Sequence, residues 1–259
     1  PQDPARRNPA DARGHAARGR ILMLLGRHDE ALGELRIAVH DAPDNAQAAI
    51  LLGRAHLALG NSLSAVETLR AALDRNQADE QLRLELAAMH ARGGNVDAAI
   101  GVLQAGAANG GMTPSLLLAM GSIEARRENF AAAENYFLQA AEHPAAEVAA
   151  RLRIGGLKMA AKDWAGAGAV FEAVLRDHPD ASGAAEGVVR SLEMSGASAE
   201  ALAWAGRRAA ARPTDPLAAD LLGRTALARK DFDAAEAAFR ESQRRAPEWS
   251  VPSMRLAGL

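Results

Sequence analysis

Two stretches decide the fold: Gly155–Pro179, GGLKMAAKDWAGAGAVFEAVLRDHP, and Gly223–Pro247, GRTALARKDFDAAEAAFRESQRRAP. Superposed, they share a leading glycine, an alanine twelve positions on (Ala167, Ala235), a phenylalanine four further (Phe171, Phe239) and a closing proline. They stand two 34-residue steps apart, and that step runs through the chain: Ala31, Ala65, Ala99, Ala133, Ala167, Ala201 and Ala235 form one ladder. Gly19, Gly53, Ala87, Gly121, Gly155, Val189 and Gly223 keep the same step twelve residues earlier. Leu35, Leu69, Leu103, Phe137, Phe171, Ala205 and Phe239 keep it four residues later. The closing column reads Pro43, Gln77, Gly111, Ala145, Pro179, Pro213 and Pro247. A period of this size, held without insertion or deletion, describes an array of small units that bury their apolar faces on one another.

Each unit reads as a helical hairpin. The first half places apolar residues at helical spacing, as in Ile50, Leu51 and Leu57, with small Gly53 on the same side. A break follows, such as Leu59-Gly60-Asn61 or Gly93-Gly94-Asn95; glycine adopts the positive φ of a helix end at little cost. The second half is amphipathic again, through Ala65, Val66, Leu69, Ala72 and Leu73. Proline then closes the unit and opens the next helix.

The order small, small, large, small, proline in Gly19, Ala31, Leu35, Ala38 and Pro43 resembles the tetratricopeptide repeat family, over residues 12–249. The resemblance implies an all-α, right-handed superhelical solenoid of antiparallel helix pairs. Its seven units are 12–45, 46–79, 80–113, 114–147, 148–181, 182–215 and 216–249. His15, Ala49, Arg83 and Leu117 stand where the family usually has tryptophan, and the sixth unit departs most, with Val189, Ala205 and Arg208 at its small, large and small columns. Residues 1–11 read as the tail of a preceding repeat or a linker, with Pro9 in the closing column, and residues 250–259 as the start of an eighth unit or a cap. Gly106, Asn109, Gly110 and Gly111 crowd the end of the third unit. Since helix-interior glycine costs roughly 0.5–1 kcal/mol, an early helix end and a hinge near 106–113 are expected.

The resemblance also implies where function lies. First helices of successive units line the concave face, and carrying over its positions gives Arg20, Arg54, Ala88, Ser122, Gly156, Arg190 and Arg224 in one column. Arg92 and Arg126 stand in a second, and Ala16, Ile50, Leu84, Leu118, Leu152, Glu186 and Asp220 in a third. The expected groove is basic at its N-terminal end, apolar through Leu84, Ala88, Leu118, Leu152 and Met159, and mixed in charge at its C-terminal end. A peptide would set apolar side chains on the leucines and carboxylates on the arginines, whose planar fork pairs carboxylates well. The family's clamp for chaperone tails needs Lys and Asn where Ala16 and Arg20 stand, so tail binding is not expected.

Composition narrows the function classes. Hydrophobic residues make up 49% and charged residues 24%, as in a folded water-soluble chain. A net charge of −2 argues against a general nucleic-acid binder. The absence of cysteine excludes disulfides, thiolate metal sites and cysteine nucleophiles. No apolar run nears the roughly 20 residues that span a bilayer. His56 and His90 share the column of a usual tyrosine and read as packing residues, and no histidine belongs to a set at metal-ligand spacing. The glycine runs lack the Lys-Ser/Thr of a phosphate loop. No catalytic constellation stands out, so neither enzyme chemistry, metal nor cofactor is expected. The first reading is a protein-interaction scaffold that binds a peptide segment. The second is an accessory array of a bacterial envelope machine, such as exopolysaccharide synthesis or export. Periplasm and cytoplasm both fit, and self-association through the array ends is a further expectation.

Overall fold

The computed structural model describes residues 9–258. Among them are fifteen α-helices and no strand. The chain divides into two compact bodies, Pro1–Asn129 and Phe130–Leu259. The first holds α1 (Pro9–Leu24), α2 (His28–Asp41), α3 (Ala46–Ala58), α4 (Ser62–Arg75), α5 (Glu80–Arg92), α6 (Val96–Gly110) and α7 (Pro114–Arg126). The second holds α8 (Phe130–Ala141), α9 (Glu147–Ala160), α10 (Trp164–Asp177), α11 (Ser182–Met194), α12 (Ser198–Ala211), α13 (Pro216–Ala228), α14 (Phe232–Arg245) and α15 (Ser250–Leu256). Within each body every helix packs on the next, and first helices of neighbouring hairpins also touch: α1 on α3, α3 on α5 and α5 on α7, then α9 on α11 and α11 on α13.

Local signals set the element ends. Asn45, Asp79, Thr113, Asp163, Asp215 and Asp231 cap their helices by accepting a backbone N–H from two or three residues on. Every hairpin turn puts one residue in the left-handed region, and these residues keep the 34-residue step: Gly26, Gly60, Gly94, Glu128, Lys162, Gly196 and Lys230. The N–H after each reaches back five residues, as Asn61 does to His56 O at 2.8 Å and Asp163 to Lys158 O at 2.9 Å. This is the hydrogen bond that closes a Schellman helix end.

The core is the ladder itself. Ala31, Ala65, Ala99, Ala133, Ala167, Ala201 and Ala235 are all fully buried. A Cβ on Gly155 would lie 2.4 Å from the Phe171 ring, and one on Gly223 2.5 Å from Phe239. These glycines give the rings their space.

Two expectations change. Helix α6 runs unbroken through Gly110 and ends at Gly111, whose φ is 83°. Gly106 does not interrupt it, because it makes room for a side chain: a Cβ there would lie 2.4 Å from Arg83 Cδ. Buried Arg83 donates to Val102 O at 2.9 Å and to Gln77 O at 2.5 Å, tying α5 to α6 and to the preceding turn. The boundary between the bodies falls at Asn129–Phe130 instead of at the glycines. At the N-terminus, α1 already begins at Pro9, so Pro9–Asp11 belong to the first helix and not to a tail; residues 1–8 lie outside the described residues. At the C-terminus, α15 lies on α14, with Leu256 against the Phe239 cluster. Its Arg255 pairs with the buried Asp220 carboxylate of α13.

Candidate functional site

In the C-terminal body the first helices α9, α11 and α13 line a cleft of about 830 Å³. Its floor is apolar and uneven, built by Leu152, Gly156, Met159 and Leu221, and Trp164 closes one side. Gly156 opens it: apart from its chain neighbours and its own helix backbone, no atom of the described residues lies within 4 Å of where its Cβ would be. The Ser191 hydroxyl sits 2.7 Å from Gly187 O and 3.3 Å from Met159 Sδ, which holds the methionine in place. Charge is confined to Glu186, Arg190, Glu193 and Arg224. Arg224 donates to Glu186 at 2.7 Å and lies 4.0 Å from Asp220, whereas Arg190 has no partner among the described residues. The cleft therefore offers an apolar seat beside one uncommitted guanidinium.

Four of the expected groove residues, Leu152, Met159, Arg190 and Arg224, thus share one cavity. The other eight stand on first helices of the N-terminal body: Arg20 on α1, Arg54 on α3, Leu84, Ala88 and Arg92 on α5, and Leu118, Ser122 and Arg126 on α7. Arg54 is exposed but paired with Glu85 of the next hairpin. Arg20, Arg92 and Arg126 are exposed and have no partner among the described residues. Leu84, Ala88 and Leu118 are half-buried, and the Ser122 hydroxyl donates to Leu118 O at 2.6 Å. Two residues carried over with them leave the groove: Ile50 is fully buried, and Asp220 is only 3% exposed. Trp164, Glu193, Met194 and Thr225 line the cleft without having been singled out for it. Met194 was accessible to the sequence reading, since it shares the column of Arg92 and Arg126.

His56 and His90 are buried between helices, 6% and 5% exposed. Among the described residues neither has a partner for Nδ1, and His90 has none for Nε2 either. Burial first, then Arg36 for His56 and Arg70 for His90, hold both imidazoles below the ordinary histidine value. No group of three or more His, Cys, Asp or Glu among the described residues could hold a metal ion. No helix among them is long and apolar enough to cross a membrane.

The repeat register, the paired helices and the first-helix cleft meet an independent comparison. A family model described as tetratricopeptide repeat matches residues 5–46, 50–111 and 118–179, more than half of the chain. The chain belongs to the tetratricopeptide repeat family. Solved tetratricopeptide structures share its fold at low identity. One, a tetratricopeptide repeat protein from Parabacteroides merdae, superposes with a TM-score of 0.57 at 18% identity, over 95% of this chain and 97% of that one. Another, pilF of Pseudomonas aeruginosa, gives 0.52 at 19% identity, over 83% and 97%. The Cut9-Hcn1 hetero-tetramer structure of the APC/C gives 0.50 at 17% identity, over 99% of this chain and 43% of that one. No curated protein matches the chain. As a tetratricopeptide array the chain is of the kind that generally serves as a protein–protein interaction scaffold.

Proposed function

We propose that this tetratricopeptide array is a non-catalytic scaffold that binds a peptide segment of a partner protein on its first-helix face, with the α9–α11–α13 cleft as the principal seat. The cleft carries the reading: a hollow of about 830 Å³ with an apolar floor, lined also by Arg190, which has no partner among the described residues. Leu152, Met159 and Leu221 would receive one or two apolar side chains, and Arg190 a carboxylate or a main-chain carbonyl. Within the N-terminal body, Leu84, Ala88 and Leu118 would form an apolar seat of their own. Arg20, Arg92 and Arg126 would meet acidic groups, and Arg54 and Arg224 would join only by exchanging Glu85 and Glu186 for a ligand carboxylate.

Gly156→Leu tests the reading directly, because a Cβ there has open space beyond its own helix and Gly156 lines the cleft, so the longer side chain would take cleft volume. Peptides selected from a displayed library on the native chain should bind the Gly156→Leu protein at least about tenfold more weakly, the equivalent of about 1.4 kcal/mol. Selected peptides that bind both forms equally would place recognition elsewhere on the molecule.

A further inference from the structure

The opposite, second-helix face of the C-terminal body holds an unusual concentration of guanidinium groups. Arg208 occupies the column filled elsewhere by Ala38, Ala72, Gly106, Ala140, Val174 and Ser242, all of them buried except the half-buried Gly106. A cation in that column loses hydration, and the fold gives it little in return. Its Nη2 donates to Pro179 O at 2.8 Å, and its guanidinium lies 5.8 Å from the centre of the Trp204 ring. No carboxylate of the described residues lies within ion-pair distance of it. Two other arginines that tie helices to inter-repeat turns are better satisfied. Arg83 takes two carbonyls, and Arg245 takes the Arg212 and Asp215 carbonyls and the Glu241 carboxylate.

The carboxylates near Arg208 are already engaged. Asp180 and Asp215 both pair with Arg212. Arg207, one residue before Arg208, is exposed and has no partner among the described residues. Burial, and next the Arg212 cation, hold Arg208 below the usual guanidinium range, as expected where positive charge exceeds its local complement. Between these arginines, Trp204 and Pro179 lies an open cleft of about 440 Å³. A second hollow, bearing Glu172 and Glu200, lies across the Trp204–Arg207 ridge, and neither glutamate pairs with Arg207.

We propose that this Trp204–Arg207–Arg208 cleft on the outer face of α12 is a second docking site, which takes an acidic peptide segment of a partner protein. A glutamate or aspartate side chain would supply the carboxylate that Arg208 and Arg207 lack, and its chain would lie against the indole face. Arginine's fork suits that bidentate role. The site stands apart from the first-helix groove and does not depend on it.

Calorimetric titration of the intact chain with a hexaglutamate peptide, and with hexalysine as control, tests the assignment. Hexaglutamate should bind saturably and hexalysine should not. Arg207→Glu should weaken binding about tenfold or more, because a like charge now faces the ligand, and Arg207→Ala should fall between. Both replace an exposed, unpaired side chain, so thermal unfolding should stay at the native temperature. Arg229→Glu, the same charge change at an exposed residue that lines neither cleft, should leave the affinity unchanged. Absence of saturable binding, equal binding of hexalysine, or native affinity in Arg207→Glu would each overturn the site. Loss of affinity in Arg190→Glu alone would overturn it too and place the acidic peptide in the first-helix groove.

Discussion

The two bodies close the same pair of columns with different side chains. In the N-terminal body the column four residues past the ladder alanine holds Leu35, Leu69 and Leu103; in the C-terminal body it holds Phe137, Phe171, Ala205 and Phe239. The facing first-helix column adjusts. Gly155 and Gly223 lie against phenylalanine rings, Ala87 shares its hairpin with Leu103, and Val189 packs with Ala205 in one cluster. Bulk therefore shifts between the two columns in some hairpins, while Gly19 and Gly53 face leucines. In the sixth repeat, where neither column holds a leucine or phenylalanine, the half-buried Trp204 packs against the clusters on both sides. An array core tolerates exchange of large and small across a hairpin as long as the space between the two helices is filled.

The largest effect should come from pressing on that pair. Gly155→Ala should destabilise the chain by about 1–3 kcal/mol, because the added methyl meets an aromatic ring that lies between Gly155 and Gly187. Gly53→Ala meets Leu69 Cγ and Met89 Cε at 3.2 Å and Ala65 O at 3.5 Å. It should stay within about 1 kcal/mol of zero, since alanine's better helix propensity offsets the contact. Urea unfolding of the two variants checks the contrast, and equal losses would show that the two bodies hold their column pairs with equal rigidity.

Acid should separate the bodies next. The buried imidazoles His56 and His90 belong to the N-terminal body, and both are held below the ordinary value of 6.5. A depressed folded-state value means that the unfolded chain binds the proton more readily. Their stabilising contribution is complete above 6.5, is lost as the pH falls through that value, and levels off below the folded-state values. The depressed carboxylates of the C-terminal body, Asp177, Asp215 and Glu241, start from 3.8 or 4.5 and act at lower pH. Trp164, Trp204 and Trp249 all lie in the C-terminal body, so tryptophan fluorescence reports that body while circular dichroism reports both. Between about pH 7.5 and about pH 5.5, the dichroism transition in urea should move to lower denaturant while the fluorescence transition stays in place. Joint movement would refute the localisation to His56 and His90.

The smallest effect concerns the turns. Glu128, Lys162 and Lys230 occupy the left-handed position that is glycine in the other four turns. Lys162→Gly should stabilise the chain by roughly 0.5–1 kcal/mol: it relieves the strain of a left-handed side chain, less the extra freedom glycine gives the unfolded state. A lowered melting temperature would show that the lysine side chain contributes more at this turn than its backbone costs.

The fold was legible because it is written seven times: a wrong inference at one rung is corrected by six others. Where the reading failed, a contact from another helix decided the outcome. Gly106 looks like a helix breaker in its own stretch and becomes a packing residue only once Arg83 lies over it. Arg54 and Arg224 look free in their columns until Glu85 and Glu186, 31 and 38 positions away, come alongside. Those separations lie close to one period, so ion pairs between adjacent repeats are a signal the ladder contains but composition does not. The Trp204 site was harder to see, because Arg208 registers in sequence as a flaw in the sixth repeat and shows its environment only when Pro179 and Arg212 are placed around it.

The left-handed residue that recurs at each turn has a consequence for how such chains change length. Each hairpin carries its own reversal, and the side-chain caps keep the same step, one period apart at Asn45, Asp79 and Thr113 and two periods apart at Asp163 and Asp231, so the instructions for a module lie inside that module. Duplicating or excising one whole period leaves every remaining reversal and cap in phase, whereas an insertion of one residue within a helix shifts each following side chain by about 100° around the helix axis. Length is therefore quantised in this architecture: only whole modules can be added or removed without loss of register, and the extent of the first-helix face changes in the same discrete steps.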